Sequence, residues 1–256
     1  MEPIIVTAST RMELSQLIER TSAVPISGVG HLQAYRASIG AGELLIAVTG
    51  IGKVNAACAA AVLFERFRPR LVINTGCGGA FPGCGLSVGD LAVAASETFA
   101  DEGVQTPEGW RGLELIGIPL FQGRGERIFN DIRLAPEIAA AALGCALEHG
   151  FTAVLGPFLT VSTCSGTDRQ AAELLRRFPG ICENMEGGAL AQVALIYQVP
   201  LLEVRGVSNM VEDRDLARWD LKQAVTEVQR FLLIYLEGLS PEEKDRNGVY
   251  SQDACC

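Results

Sequence analysis

Histidine is almost missing from this chain: His31 and His149 are the only two in 256 residues. His149 follows Glu148 at what reads as a helix end, where an imidazole is comfortable in solvent against the negative end of the helix dipole. Chemistry that leans on histidine, such as the Ser-His-Asp triad or a His-rich zinc site, therefore has little to build with. The eight cysteines include no CxxC pair and fall mostly in apolar segments, so buried free thiols in a reducing compartment are expected, and no metal site. Cys255 and Cys256 close the chain without the spacing that prenylation requires. Long apolar runs are absent too: none reaches the ~18 residues of a membrane helix. No basic segment precedes the first apolar run, so "MEPIIVTAST" reads as a first strand and not a secretory signal, and a cytoplasmic location is expected. Nor is there a basic stripe. A net charge of −9 and a pI near 4.9 oppose binding to a nucleic-acid backbone, which leaves small molecules as the favoured partners.

What is present describes a globular α/β protein. A hydrophobic content of 48%, with 20% charged residues, supplies an ample core. One domain is expected over residues 1–239, followed by a polar tail, 240–256, that should fray. Apolar runs at 3–8, 44–50, 70–76, 90–99, 158–163 and 200–208 are mostly continuous, as in strands buried on both faces. Helical spacing appears between them at 53–66, 135–148, 168–177, 187–197 and 216–237. Strands alternating with helices in this way imply a largely parallel sheet between two helical layers. Residues 100–127 mix polar, Gly and Pro residues and read as a long excursion of the binding-loop kind.

Candidate chemistry gathers at strand ends, where open α/β sheets collect ligands. Glu13 follows the first strand, "TGCGGA" (75–80) and "STCSGTD" (162–168) follow later ones, Met185 and Glu186 precede a helix, and Ser208 and Asn209 close the last strand. Taken singly, each has a plain structural explanation: Glu13 and Glu186 as first-turn carboxylates, Asn209 as a cap, the glycines as turns. Their joint appearance at one end of a sheet is harder to explain that way. "GIGKVNAA" (50–57) has G-x-G after a strand but Asn55 where a third glycine belongs, and no Walker lysine occurs. It is either a weak nucleotide fingerprint or a tight turn feeding a helix.

The ordered motifs "VTGIGKVNAA", "INTGCGGAF", "VGDLAVA", "ENMEGGALAQVA" and "VPLLEVRGVSN" resemble the nucleoside phosphorylase and hydrolase superfamily, over roughly residues 3–236. Within it, "TASTRMEL", "ADEGV", "LELIGIPL" and "SNMVEDRD" are most similar to the futalosine hydrolases. That resemblance implies a three-layer αβα sandwich with a mixed, largely parallel central sheet. It also implies an N-glycosidic bond as target, neither organic cofactor nor metal, and at least a homodimer. By the same resemblance Glu186 grips the ribose hydroxyls with Met185 packed beneath the sugar. Glu13 holds and deprotonates water, Cys77 and Gly78 approach ribose and base, and the backbone of Ser165, Gly166 and Thr167 meets the base.

Two amides then separate the activities within the superfamily. Nucleosidases of 6-aminopurines carry an aspartate at the position of Asn209, and it can deliver a proton to N7. An asparagine cannot, but its amide can donate to O6 while its carbonyl accepts from a protonated N7, which suits hypoxanthine. Hexameric purine nucleoside phosphorylases carry a phosphate-binding arginine at the position of Asn74, so water is the expected nucleophile here. The expectation is a futalosine hydrolase. The rivals are a nucleosidase for methylthioadenosine or aminofutalosine, a phosphorylase, and a silent ligand-binding member of the fold. Arg11, Arg111 and Arg214 are candidates for the carboxylate on the substrate's 5′ arm.

Overall fold

The unbroken apolar run Ile4–Ala8 forms the first strand, β1, and every residue in it is buried. The structure is a computed structural model that describes residues 2–40, 42–123 and 125–239. The polar tail expected at 240–256 lies outside them. Strands follow in chain order as β2 (Val24–Ile26), β3 (Gln33–Ile39), β4 (Gly42–Val48), β5 (Leu71–Ala80), β6 (Leu91–Phe99), β7 (Val104–Thr106), β8 (Gly109–Arg111), β9 (Phe121–Gly123), β10 (Glu126–Ile128), β11 (Asp131–Arg133), β12 (Ala153–Thr160), β13 (Cys182–Asn184) and β14 (Leu201–Met210). The helices are α1 (Ser15–Arg20), α2 (Lys53–Phe67), α3 (Pro136–Glu148), α4 (Asp168–Arg177), α5 (Gly187–Tyr197) and α6 (Leu221–Gly238).

The pleat sorts β1 between two helical layers. Ile4 and Val6 pack with Leu17 of α1, Ala139 of α3 and Phe231 of α6, whereas Ile5 packs with Ala56 and Leu63 of α2 and Leu190 of α5. Coverage on both faces is why β1 tolerates no polar alternation. β1 runs parallel to β4 and β5, and antiparallel strands stand at the edges: β3 and β2 at one, β11 at the other. The expected αβα sandwich with a mixed sheet is the observed fold. Among the described residues no helix is long and apolar enough to cross a membrane.

Part of the sheet also closes. β5 pairs with β14, β14 with β6, β6 with β12, β12 with β13, and β13 with β5 again, so five strands form a ring. Its closure depends on β13, too short to read from its pattern, and on β14 pairing on both sides. β5 accordingly runs through the "TGCGGA" stretch read as a turn, and β12 starts at Ala153. The 100–127 excursion carries two ribbons, β7 with β8 and β9 with β10. Trp110 of β8 docks edge-on against Phe178, just after α4, with ring centres 5.3 Å apart. The helix read at 216–237 starts later, because Asp220 caps α6 by accepting from the N–H of Gln223 at 2.8 Å. Of the described thiols only Cys182 is buried. Cys58, on the outer face of the alanine-rich α2, and Cys164 are exposed, contrary to expectation.

α6 also fixes the turn that carries Glu13. Buried Gln229 accepts from the N–H groups of Gln16 (2.8 Å) and Leu17 (3.3 Å), and donates to the carbonyls of Val225 (2.8 Å) and Met12 (3.4 Å). Those two N–H groups belong to the first turn of α1 and have no partner within the helix. Gln229→Leu strands them, and urea denaturation should show a loss of about 3 kcal/mol. A loss under about 1 kcal/mol would mean that other groups replace these bonds.

Candidate active site

Glu13 sits in a single 3₁₀ turn, Met12–Leu14, directly after β1, with its carboxylate turned inward. Oε2 accepts from Ser9 Oγ, Thr10 N and Thr10 Oγ1, each at 2.8 Å. Oε1 accepts from the backbone N–H of Cys77 at 3.0 Å and meets the Cys77 thiol at 3.4 Å. Burial alone would raise its pKa. The Cys77 N–H, the charge of Arg205 and the Thr10 and Ser9 donors outweigh that and hold it below the ordinary 4.5. The Cys77 thiol goes the other way, pushed up to about 12 by burial and by the Glu13 charge, so it is no nucleophile at neutral pH. Gly76 makes the approach possible. Its φ of +138° suits glycine, and a Cβ there would lie 2.5 Å from Oε1 of Glu13.

Arg205 of β14 joins this carboxylate to a second one. Its guanidinium donates from Nε to Glu203 Oε1 (2.9 Å), from Nη1 to the Cys77 carbonyl (3.2 Å) and from Nη2 to Glu186 Oε2 (3.3 Å). Burial works against its charge, but Glu203, Glu186 and Glu13 more than compensate and raise its pKa further. Glu186 stands at the start of α5, where the dipole favours a carboxylate, and its Oε1 accepts from the N–H of Gly52 at 2.9 Å. The G-x-G stretch is thus a turn feeding α2, and it lends a backbone donor to the site. Lys53, next in the chain, pairs with Asp101 and Glu102 and so ties the 100–127 excursion to the same corner.

The other end of the site forms around Gly79 of β5, which is flanked by Glu183 of β13 and Asn209 of β14. Glu183 accepts from Ser165 N (2.9 Å) and Ser165 Oγ (2.5 Å), and so holds the 165–167 turn against the ring. Burial pushes its pKa up in spite of those two bonds. The Gly166 carbonyl accepts from the N–H of Arg214 at 3.2 Å, and the Thr167 hydroxyl caps α4. Ser208 Oγ donates to the Asn209 carbonyl oxygen at 2.8 Å and also faces the Gly78 carbonyl at 3.2 Å. Asn74 is committed elsewhere: it donates to Glu203 Oε1 at 3.0 Å and accepts from Thr7 Oγ1 at 3.2 Å.

Of the residues proposed from sequence, Glu13, Cys77 and Glu186 therefore fall in one bonded cluster, with half-buried Met185 beside it and Gly78 and Asn209 further along β5 and β14. Ser165, Gly166 and Thr167 join through Glu183 and Arg214, not through a direct bond to the two catalytic candidates. Arg205, Glu203, Gly52 and Asn184 were missed. A signal existed for two of them: Glu203 and Arg205 are opposite charges at alternate positions of an apolar strand, which must share a face and pair.

The fold and this cluster place the chain among known proteins. It belongs to the phosphorylase superfamily, which it matches over residues 3–237. It is 34% identical to the futalosine hydrolase of Thermus thermophilus over 197 residues, covering 77% of this chain and 82% of that one. To the 5′-methylthioadenosine/S-adenosylhomocysteine nucleosidase of Maridesulfovibrio salexigens it is 28% identical over 236 residues, covering 91% and 97%. In three dimensions it resembles the corresponding nucleosidase of Neisseria meningitidis in complex with methylthio-immucillin-A, with a TM-score of 0.80 at 24% identity over 93% of this chain and all of that one. With hydrolases and nucleosidases for relatives, it is an N-glycosyl hydrolase by class.

Proposed function

We propose that the protein hydrolyses futalosine, releasing hypoxanthine and leaving dehypoxanthine futalosine, a step of menaquinone biosynthesis. The observation that carries this reading is an amide, Asn209, beside Gly79 at the base end of the site. Its carbonyl oxygen takes one bond from Ser208, which leaves a lone pair for a protonated N7, and its NH₂ can serve O6. Glu186, steadied by Gly52 and Arg205, grips the ribose hydroxyls, and Met185 packs under the sugar. Glu13, ionised at neutral pH, holds and deprotonates the water that attacks as oxocarbenium character builds at C1′. Cys77 and Gly78 line the sugar and base, and the 165–167 backbone meets the base.

Water is favoured over phosphate because Asn74 offers no cation, and because the guanidinium of this cluster, Arg205, is already shared among Glu203, Glu186 and Cys77. Among the arginines considered for the substrate's carboxylate, Arg214 is best supported: it is bonded to the base turn and stacks on Trp219, 4.4 Å from the ring centre. We take the enzyme to be a cytoplasmic homo-oligomer. Exposed Ile51, Val54, Ile116 and Ile118 on the 50-turn, α2 and the excursion support a subunit contact. Light scattering should give at least twice the 27.3 kDa chain mass, and a monomer at micromolar concentration would contradict it.

A second reading, cleavage of methylthioadenosine or aminofutalosine, is favoured by the longer match to the M. salexigens nucleosidase. A chromatographic assay with futalosine, inosine, methylthioadenosine and aminofutalosine separates the two. Hypoxanthine from futalosine is expected, and adenine release would favour the second reading. Asn209→Asp should lower kcat/KM for futalosine about tenfold or more while raising it for aminofutalosine, since the site's polar groups then match the other base. An unchanged ratio between the two substrates would remove Asn209 from base selection.

A further inference from the structure

Inside the five-strand ring, buried polar side chains from every strand meet: Asn74 of β5, Glu203 and Arg205 of β14, Glu97 of β6, Thr160 of β12 and Asn184 of β13. Their bonds leave one deficit. Glu97 Oε2 accepts from Thr160 Oγ1 at 2.6 Å, and Glu97 Oε1 accepts from Asn184 Nδ2 at 2.8 Å. Glu203 Oε1 accepts from Asn74 at 3.0 Å and from Arg205 at 2.9 Å. Among the described residues no donor reaches the buried Glu203 Oε2. What it faces is the Glu97 carboxyl. The two groups close over Gly187, where a Cβ would lie 2.0 Å from Glu97 Oε1 and 2.4 Å from Glu203 Oε2. Carboxylates this near in a dry interior do not both ionise, and a proton on one is the donor that the orphan oxygen lacks.

We propose that Glu97 and Glu203 share one proton, and that this pair positions Glu186. Two arms run from it. Glu97 fixes the amide of Asn184, whose carbonyl accepts from the N–H groups of Glu186 (2.9 Å) and Gly187 (2.7 Å) and so caps α5. Glu203 fixes Arg205, which donates to the Glu186 carboxylate. The shared proton locks the backbone arm to the side-chain arm. Thr160 extends the lock, bonding Glu97 on one side and accepting from the Gly188 N–H at 2.7 Å on the other.

Burial first, and then the Glu203 charge, hold the Glu97 pKa well above the carboxylate range. Among the described residues, Arg205, which partly offsets the shift, and the Cys182 thiol, itself pushed up by burial and uncharged, also face the pair. A raised folded-state pKa gives stability that is complete below the unfolded-state value and is lost as the pH climbs through the raised one. The lock therefore weakens as the pH rises above the ordinary carboxylate range and opens once the pH passes the raised Glu97 value.

Infrared spectroscopy of the full chain in D₂O at neutral pH reads the proton directly. The wild type should show the carbonyl stretch of a protonated carboxylic acid, and Glu97→Gln should lose it. Kinetics supply a second readout that rests on the ribose role given to Glu186. Glu203→Gln, whose carbonyl keeps the Asn74 and Arg205 bonds while its NH₂ takes the place of the shared proton, should stay within about threefold of wild type in kcat/KM and lose the decline at rising pH. Glu97→Ala should fall about tenfold or more, chiefly through a raised KM. The proposal is overturned if the wild type lacks the band, if Glu97→Gln keeps it, or if Glu203→Gln and Glu97→Ala are equally impaired. Should no nucleoside be cleaved at all, the functional reading fails while the infrared result still decides the shared proton.

Discussion

Glu186→Gln should lower kcat/KM for the proposed substrate, futalosine, by about 10²-fold or more, the size of loss expected when a charged contact that strengthens in the transition state is made neutral. The carboxylate accepts from Gly52 and Arg205 and has further lone pairs for two sugar hydroxyls. A glutamine turned to keep the Gly52 bond points its NH₂ at Arg205, donor against donor, and can no longer accept from both hydroxyls. Arg205 remains compensated by Glu203 and Glu13, so the variant should fold and its thermal midpoint should change little beside the activity. Steady-state kinetics together with circular dichroism separate the two effects. Activity within about threefold of wild type, in a folded variant, would remove Glu186 from the ribose.

Glu13→Gln should reduce kcat by about 10² to 10⁴, the range for loss of a general base, with KM changing far less because the amide is isosteric and the sugar grip lies elsewhere. Ser9, Thr10 and the Cys77 backbone aim four polar hydrogens at the carboxylate, three of them at Oε2. They hold its pKa down, so the base form dominates throughout the neutral range. The wild-type rate should therefore fall only below the ordinary carboxylate value of 4.5, on the acid side. The stability contribution has the same sign: a depressed pKa stabilises the fold above the unfolded-state value, and that contribution is lost as the pH drops through the folded-state one. A pH profile of kcat with its acid limb near neutrality, or a Glu13→Gln variant with near-normal kcat, would assign the base to another group.

How much of this was legible from residues alone depends on whether a pattern is local. β1, α2 and α4 were readable because their apolar spacing is set by their immediate surroundings, and the observed α4 coincides with residues 168–177 as read. The places of Glu13, Glu186 and Asn209 in the chain were readable because β1 before Glu13, α5 after Glu186 and β14 around Asn209 have clear patterns. The ring was not. β13 spans only Cys182–Asn184, and nothing local in β14 announces that it will pair with β5 and β6 together. Without the ring, Glu97 looks like the polar end of an edge strand, and only its enclosure by β12, β13 and β14 turns it into a buried acid. Cys58 shows the reverse error: an alanine-rich helix hides which of its faces is outward.

The most direct test of the whole account is a mass-spectrometric assay of the purified protein with futalosine in H₂¹⁸O, with no phosphate present. The predicted result is hypoxanthine in step with dehypoxanthine futalosine that carries a single ¹⁸O at the anomeric carbon. Turnover that waits for phosphate, or cleavage confined to 6-aminopurine nucleosides, would contradict it.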